Sequence, residues 1–204
     1  MKQQSKTTDM KKQIQNAFAF IQKLYNESSY LIKEIEGQLS ETNIRFKIVK
    51  PSGYSISTRS STGLEPNNVN LWLLRKFAVA FVEDSDTPDK GGQTFTEING
   101  NLKVLYFRLI LDQQELIGPQ IMFGVIFNIE KQKKDSWVKK FENLMGHFQY
   151  VDNKMFEKKG NIEYEDGVVR LKGKFKTISL LEINSSEELM KRVINPALKV
   201  YNSV

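Results

Sequence analysis

The sequence predicts an α+β fold: a mainly antiparallel sheet whose central strands are covered on both faces by a long N-terminal helix and two later helices. Three observations predict it. Two apolar runs, Asn101–Leu111 and Gln120–Ile129, are rich in β-branched and aromatic residues and are separated by a polar connection. Such runs, bounded by turn signals, read as strands. In the first, Val104, Tyr106 and Ile110 point one way, and Leu105, Phe107, Leu109 and Leu111 the other. The second sets Ile121, Phe123, Val125, Phe127 and Ile129 against Met122 and Ile126. Strands apolar on both sides must be covered on both sides, which makes this pair the centre of the sheet. The third observation is the order of the remaining elements, in which helical and strand periodicities follow one another without a repeated strand–helix unit.

The first of those elements is the longest periodic stretch. Ile14, Phe18, Ile21, Leu24, Leu31, Ile35 and Leu39 recur at three- and four-residue steps, predicting a helix over about 9–39. Its near-heptad spacing also makes it a candidate surface for homo-oligomer formation. Ile44, Phe46 and Ile48 alternate with Arg45 and Lys47 as a half-buried strand, Pro51-Ser52-Gly53 reads as a turn, and Tyr54, Ile56 and Thr58 as the return. Leu71–Val82 is a further strand. Asn99-Gly100 and Asp166-Gly167 are hairpin turns. The second of these, centred on Asp-Gly, sets Tyr164 opposite Val169, Glu163 opposite Arg170 and Ile162 opposite Leu171. Trp137, Phe141, Leu144, Phe148 and Val151 mark a second helix. Ser185-Ser-Glu-Glu188 is a capping box for the last, with Leu189, Val193, Ala197 and Tyr201 facing inward and Pro196 as a kink.

Composition bounds the chemistry. The 204 residues suit one domain, 1–204, with the N-terminal helix as an extension. There is no cysteine, which removes disulfides, thiolate metal sites and cysteine nucleophiles. The amino-terminal residues carry no secretory signal, and the longest uncharged run, Leu116–Ile129, is too short to span a bilayer. These features predict a soluble, cytoplasmic protein with no membrane partner. The net charge of +6 is uneven: residues 1–80 carry 12 basic and 6 acidic side chains, 81–135 carry 6 and 9, and 136–204 carry 12 and 9.

Three sets of residues are candidates for chemistry. Arg170, Lys172, Lys174 and Lys176 alternate along one strand and so leave one face. Cations at ~7 Å intervals suit an anionic partner such as a nucleic-acid backbone; the commoner use of such a row is to protect a sheet edge. Glu163 and Glu165 share that face and neutralise part of it, while Lys174 and Lys176 lie beyond their reach. The loop Glu83–Gly92 gathers Asp84, Asp86 and Asp89 beside Glu83, an oxygen cluster of the kind a divalent cation takes, although the spacing departs from an EF-hand. A solvated turn explains the same residues. His147, the single histidine, has neither a triad nor a metal motif around it. Neither G-x-x-x-x-G-K-[ST] nor G-x-G-x-x-G occurs, which disfavours nucleotide chemistry.

The coarse element order resembles the core of the PD-(D/E)xK nucleases. That resemblance implies an Asp near the second core strand and a Glu-x-Lys on the third, holding Mg²⁺ and activating water. The equivalent strand here is Val125–Lys131, in which Asn128 stands at the Glu position and Glu130 at the Lys position. A site built instead from Asp112, Glu130 and Lys131 lacks the family's spacing. The sequence therefore favours a non-enzymatic binding protein working through a partner surface. The alternative is a metal-dependent hydrolase or PD-(D/E)xK-like nuclease using residues 83–89 with Glu97 or Asp112.

Overall fold

The computed structural model describes residues 2–53, 76–83, 101–111, 118–132 and 160–204. The second predicted helix with His147, the Asn99-Gly100 turn and the Tyr54–Thr58 return all lie outside them. The chain divides into two compact units, Met1–Gly37 and Gln38–Val204.

The first unit is helical. Helix α1 runs Lys2–Ser40, starting several residues earlier than its apolar periodicity, and at 1.5 Å per residue it is about 58 Å long. Mid-helix, Ser28 Oγ donates to the Leu24 carbonyl at 2.8 Å, one turn back, which satisfies the hydroxyl within the helix.

The second unit is a six-stranded sheet with a C-terminal helix, an α+β fold with an antiparallel sheet. The strands are β1 (Phe46–Gly53), β2 (Lys76–Glu83), β3 (Val104–Ile110), β4 (Gln120–Lys131), β5 (Gly160–Glu165) and β6 (Val169–Ser179), in the spatial order β1-β2-β3-β4-β6-β5. Every neighbouring pair is antiparallel. β3 and β4 stand third and fourth of six, and all seven residues of β3 are buried, as are Ile121 to Ile126 of β4. Water reaches the centre of the sheet from neither side.

One face carries Ala78, Ala80 and Val82 of β2, Val104, Tyr106 and Ile110 of β3, Met122 and Ile126 of β4, and Leu171 and Phe175 of β6 as a continuous core. The opposite face carries Val79 and Phe81, then Leu105, Phe107 and Leu109, then Ile121, Phe123 and Val125, all buried. Phe81 and Phe107 meet edge to face there, 5.8 Å between centroids.

Three local expectations are corrected. Pro51-Ser52-Gly53 is not a turn: β1 runs straight through it, with a bulge between Val49 and Ser52 where it pairs with β2. Proline has no N–H to give a ladder, and among the described residues β1 is an edge strand, the position in a sheet where proline is tolerated. The β5–β6 hairpin turns on Gly167-Val168, one residue later than predicted. Asp166 belongs to the last rung, its N–H donating to the Val169 carbonyl at 3.0 Å, while its Oδ1 accepts the N–H groups of Val168 (2.7 Å) and Val169 (2.9 Å). A carboxylate that bonds its own backbone two and three residues on holds such a turn without the Asp-Gly centre. Last, Ile129 does not share a face with Phe127, because a bulge between Phe127 and Glu130 inserts a residue. Asn128 takes that position with φ 49°, a left-handed conformation asparagine tolerates. Ile129 is thereby turned into the first core.

The C-terminal helix α2 comprises Ser186–Leu189, a π-helical stretch Met190–Ile194 and Asn195–Tyr201. Ser185 caps it as expected, its Oγ accepting from Glu188 N at 3.2 Å, while the Glu188 carboxylate is held by Arg192. The wide π turn immediately precedes Pro196. It lets the helix pass a residue that cannot donate to the preceding turn, so the chain neither kinks out nor stops. Leu189, Val193, Ile194, Ala197 and Tyr201 are buried. Tyr201 anchors the far end: its hydroxyl donates to Glu83 Oε1 at 2.8 Å, and Phe46 lies edge-on at 5.2 Å. Lys103 Nζ donates to its carbonyl at 3.3 Å. Glu83, Phe46 and Lys103 belong to the face of Phe81 and Leu105, so α2 covers that face.

Candidate anionic-ligand interface

Strand β6 is fifth of six, flanked by β4 along its length and by β5 from Arg170 to Phe175, so Arg170, Lys172 and Lys174 lie inside the sheet and not on its edge. Alternation sends Arg170, Lys172, Lys174 and Lys176 to the face of Phe123, Val125 and Phe127. The register pairs Lys176 with Phe123, Lys174 with Val125 and Lys172 with Phe127. The row therefore begins where the buried apolar surface of β4 ends. Lysine stems can lie along such a border with their ammonium groups in water. Lys174 Nζ stands 5.8 Å from the Phe127 ring centroid, within reach of its negative face.

The hairpin's true register decides which cations are engaged. Arg170 lies opposite Glu165 and Lys172 opposite Glu163, a shift of two residues from the expected pairing that leaves every side chain on its predicted face. Arg170 grips Glu165 with two parallel bonds, Nε to Oε2 at 3.0 Å and Nη2 to Oε1 at 2.9 Å. Past the Asn128 bulge, Glu130 of β4 comes to 3.6 Å from Arg170 Nη1. Lys172 Nζ meets Glu163 Oε1 at 2.9 Å. The hydrogen bond from Lys172, and then its charge, hold the Glu163 carboxyl below its ordinary value; Glu165 holds Arg170 further toward its charged form. These are solvent-exposed pairs, worth little to stability, and they cancel charge locally. Lys174 lies across from Asn161, and Lys176 lies past the start of β5. Neither is in an ion pair among the described residues. Of the four predicted cations, Arg170 and Lys172 are engaged by carboxylates; among the described residues, Lys174 and Lys176 are not.

Around the same hairpin, Tyr164 donates its hydroxyl to Asp166 Oδ2 at 2.7 Å. Burial, the hydrogen bond to Asp166 and its negative charge push the phenol up to about 12.

The other predicted sites fare differently. Asp84, Asp86 and Asp89 lie outside the described residues, as do Glu97, Asp112 and His147. Among the described residues, no three metal-binding side chains gather into a group, and no helix is long and apolar enough to cross a membrane. Of the nuclease-like set, Glu130 turns to Arg170 and Lys131 pairs with Val169 in the ladder.

Sequence reasoning gave no role to Arg108, a fully buried arginine on the Tyr106 face, opposite Met122 and Ala78. Alternation alone could have found it, since it falls between Tyr106 and Ile110 on an inward-facing set. An arginine so placed is expensive to bury and marks a polar contact within the core. No family model matches the chain, no curated protein is significantly similar to it, and no solved structure is significantly similar to it.

Proposed function

We infer that this chain is a non-enzymatic, cytoplasmic binding protein that takes an anionic partner, with the phosphate backbone of a nucleic acid as the fitting class. The ligand lies along the outer face of β6 at Lys174 and Lys176. The observation that carries the reading is the division of the cation row. Arg170 and Lys172 are answered by Glu165, Glu130 and Glu163, whereas Lys174 and Lys176 stand on the same face with no ion pair among the described residues. A strand holds the two about 7 Å apart, near the spacing of successive phosphates on an extended strand. The Phe127 ring beside Lys174 adds an aromatic surface of the kind on which a base can stack. The absence of cysteine agrees with a reducing compartment.

The test is retention on an immobilised anionic polymer as a function of salt. Lys174→Gln with Lys176→Gln is expected to lower the elution salt and reduce the slope of log affinity against log salt by about 0.7–0.9 per cation removed. Elution unchanged by the double substitution overturns the assignment.

A further inference from the structure

We propose that α1, over residues 10–28 in particular, is a self-association surface on which two copies of this chain pack antiparallel, centred between Ala17 and Ile21. The proposal goes beyond the anionic-partner reading and does not depend on it. Its first support is exposure. Met10 is 62% exposed, Ile14 52% and Phe18 70%, on a stripe that recurs every three to four residues. A single exposed apolar side chain needs no explanation, but a row of bulky ones along one helical face marks a contact surface.

Charge selects the partner and its direction. Residues 2–23 of α1 hold Lys2, Lys6, Lys11, Lys12 and Lys23 against Asp9 alone; residues 24–40 hold Glu27, Glu34 and Glu36 against Lys33. This distribution opposes the helix macrodipole, which favours anions at the N-terminus and cations at the C-terminus. A second copy running the same way would set lysines beside lysines and leave that conflict doubled. Running the opposite way, it brings the basic half of each helix beside the acidic half of the other.

Size along the seam selects the same direction. With residue i opposite residue 38 − i of the second copy, Ile14 meets Leu24, Ala17 meets Ile21 and Met10 meets Ser28. Each small residue then faces a large one, the alternation that fills a helix interface without voids. A parallel, in-register pair sets Ala17 against Ala17 and Ser28 against Ser28. Ser28 carries no polar penalty on the seam, because its hydroxyl is already bonded to the Leu24 carbonyl.

The chain contains no cysteine, so an introduced thiol is the only one present. Sedimentation equilibrium of the full chain is expected to give a dimer, twice 23.6 kDa. Ile14→Glu with Ile21→Glu should weaken association by about tenfold or more while leaving the thermal unfolding of the sheet in place. Ile14→Cys and Leu24→Cys, oxidised separately, should give background cross-linking, and mixed in equal amounts should give a disulfide-linked heterodimer. Ala17→Cys with Ile21→Cys should behave the same way. A monomer at all concentrations, association that survives the glutamates, or variants that cross-link alone as well as mixed each overturn the proposal. So does a dimer in which neither pair cross-links.

Discussion

Replacing Gly124 by alanine tests whether β4 and β6 are packed as closely as the structure places them. Gly124 sits at the sheet centre, opposite Tyr106 on β3 and Phe175 on β6. A Cβ there would run into the Lys174 carbonyl oxygen and come within 2.8 Å of both the Phe175 Cα and its ring. The ring could in principle swing aside. It is held, however, edge-on to Tyr106 at 6.2 Å, above Gly173, where a Cβ would itself meet the ring at 2.5 Å. The backbone atoms cannot move without parting the two strands. Overpacking of this kind costs about 1–3 kcal/mol, and a clash with backbone belongs at the upper end. Alanine recovers about 0.4–1 kcal/mol by narrowing the unfolded ensemble, leaving a net loss of ~2 kcal/mol. For a chain of this size that lowers Tm by about 4–8 °C. Thermal unfolding followed by near-ultraviolet circular dichroism reads it directly. Adding Phe175→Leu should recover only a minor part, since the ring is one of three contacts. A Gly124→Ala protein melting within about 1 °C of the parent refutes the close approach. Gly37→Ala is the control of opposite sign: nothing lies within 4 Å of its Cβ, and alanine in a helix is favoured by about 0.5–1 kcal/mol, so α1 should melt later.

Glu163→Gln with Glu165→Gln should raise the salt needed to elute the protein from an anionic polymer, because it releases Lys172 and leaves Arg170 with Glu130 alone; lower retention would contradict the ion-pair geometry. In an ultraviolet titration Tyr164 should ionise near pH 12, above the ordinary value of 10. Its folded pKa lies above the ordinary value of 10, so the stability it contributes is complete below pH 10 and lost as pH rises through about 12. Tyr164→Phe should remove that alkaline step. Tyr201→Phe takes one hydrogen bond from Glu83 and should cost about 1–3 kcal/mol by urea unfolding, a loss that Glu83→Gln, still able to accept, should largely avoid. At the β4 bulge, Asn128→Val forces a β-branched residue to φ 49° and should destabilise, whereas Asn128→Gly should be neutral or better by the same measurement.

Periodicity made the centre of the fold legible, and it failed where a single side chain overrides it. The facing of every residue in β3, and of Ile121 to Phe127 in β4, follows from alternation in runs too apolar to be exposed on either side. The Ser185 cap was equally legible, since a serine three residues before a glutamate ahead of an apolar run has few other uses. The turn at Asp166 was misplaced because Asp-Gly is the common centre of such turns, and nothing in the pattern announces that the carboxylate will bond Val168 and Val169 instead. Pro51 reads as a breaker until β1 is known to be an edge strand. Topology decides that, and composition does not. The candidate site divides the same way. Alternation put the four cations on one face, but the identity of the two engaged by carboxylates depends on a hairpin register and on a bulge that swings Glu130 toward Arg170.

The bulge at Asn128 connects these observations. Had β4 continued without it, Ile129 would have followed Phe127 onto the face of the cations, and Glu130 would have pointed into the apolar core on the other side. The extra residue corrects both at once: the isoleucine goes inward and the glutamate outward to Arg170. One consequence is that the engaged end of the row is fixed by three separate segments, β4, β5 and β6. At the other end Lys174 lies opposite Asn161 and Lys176 past the start of β5, against buried β4 side chains that offer no counter-charge. Charge neutralisation thus falls off along a single strand, from paired at the hairpin to unpaired among the described residues toward Ser179. The binding proposed for this face would fall to the second half of that strand, and the first half is neutralised by Glu165, Glu130 and Glu163.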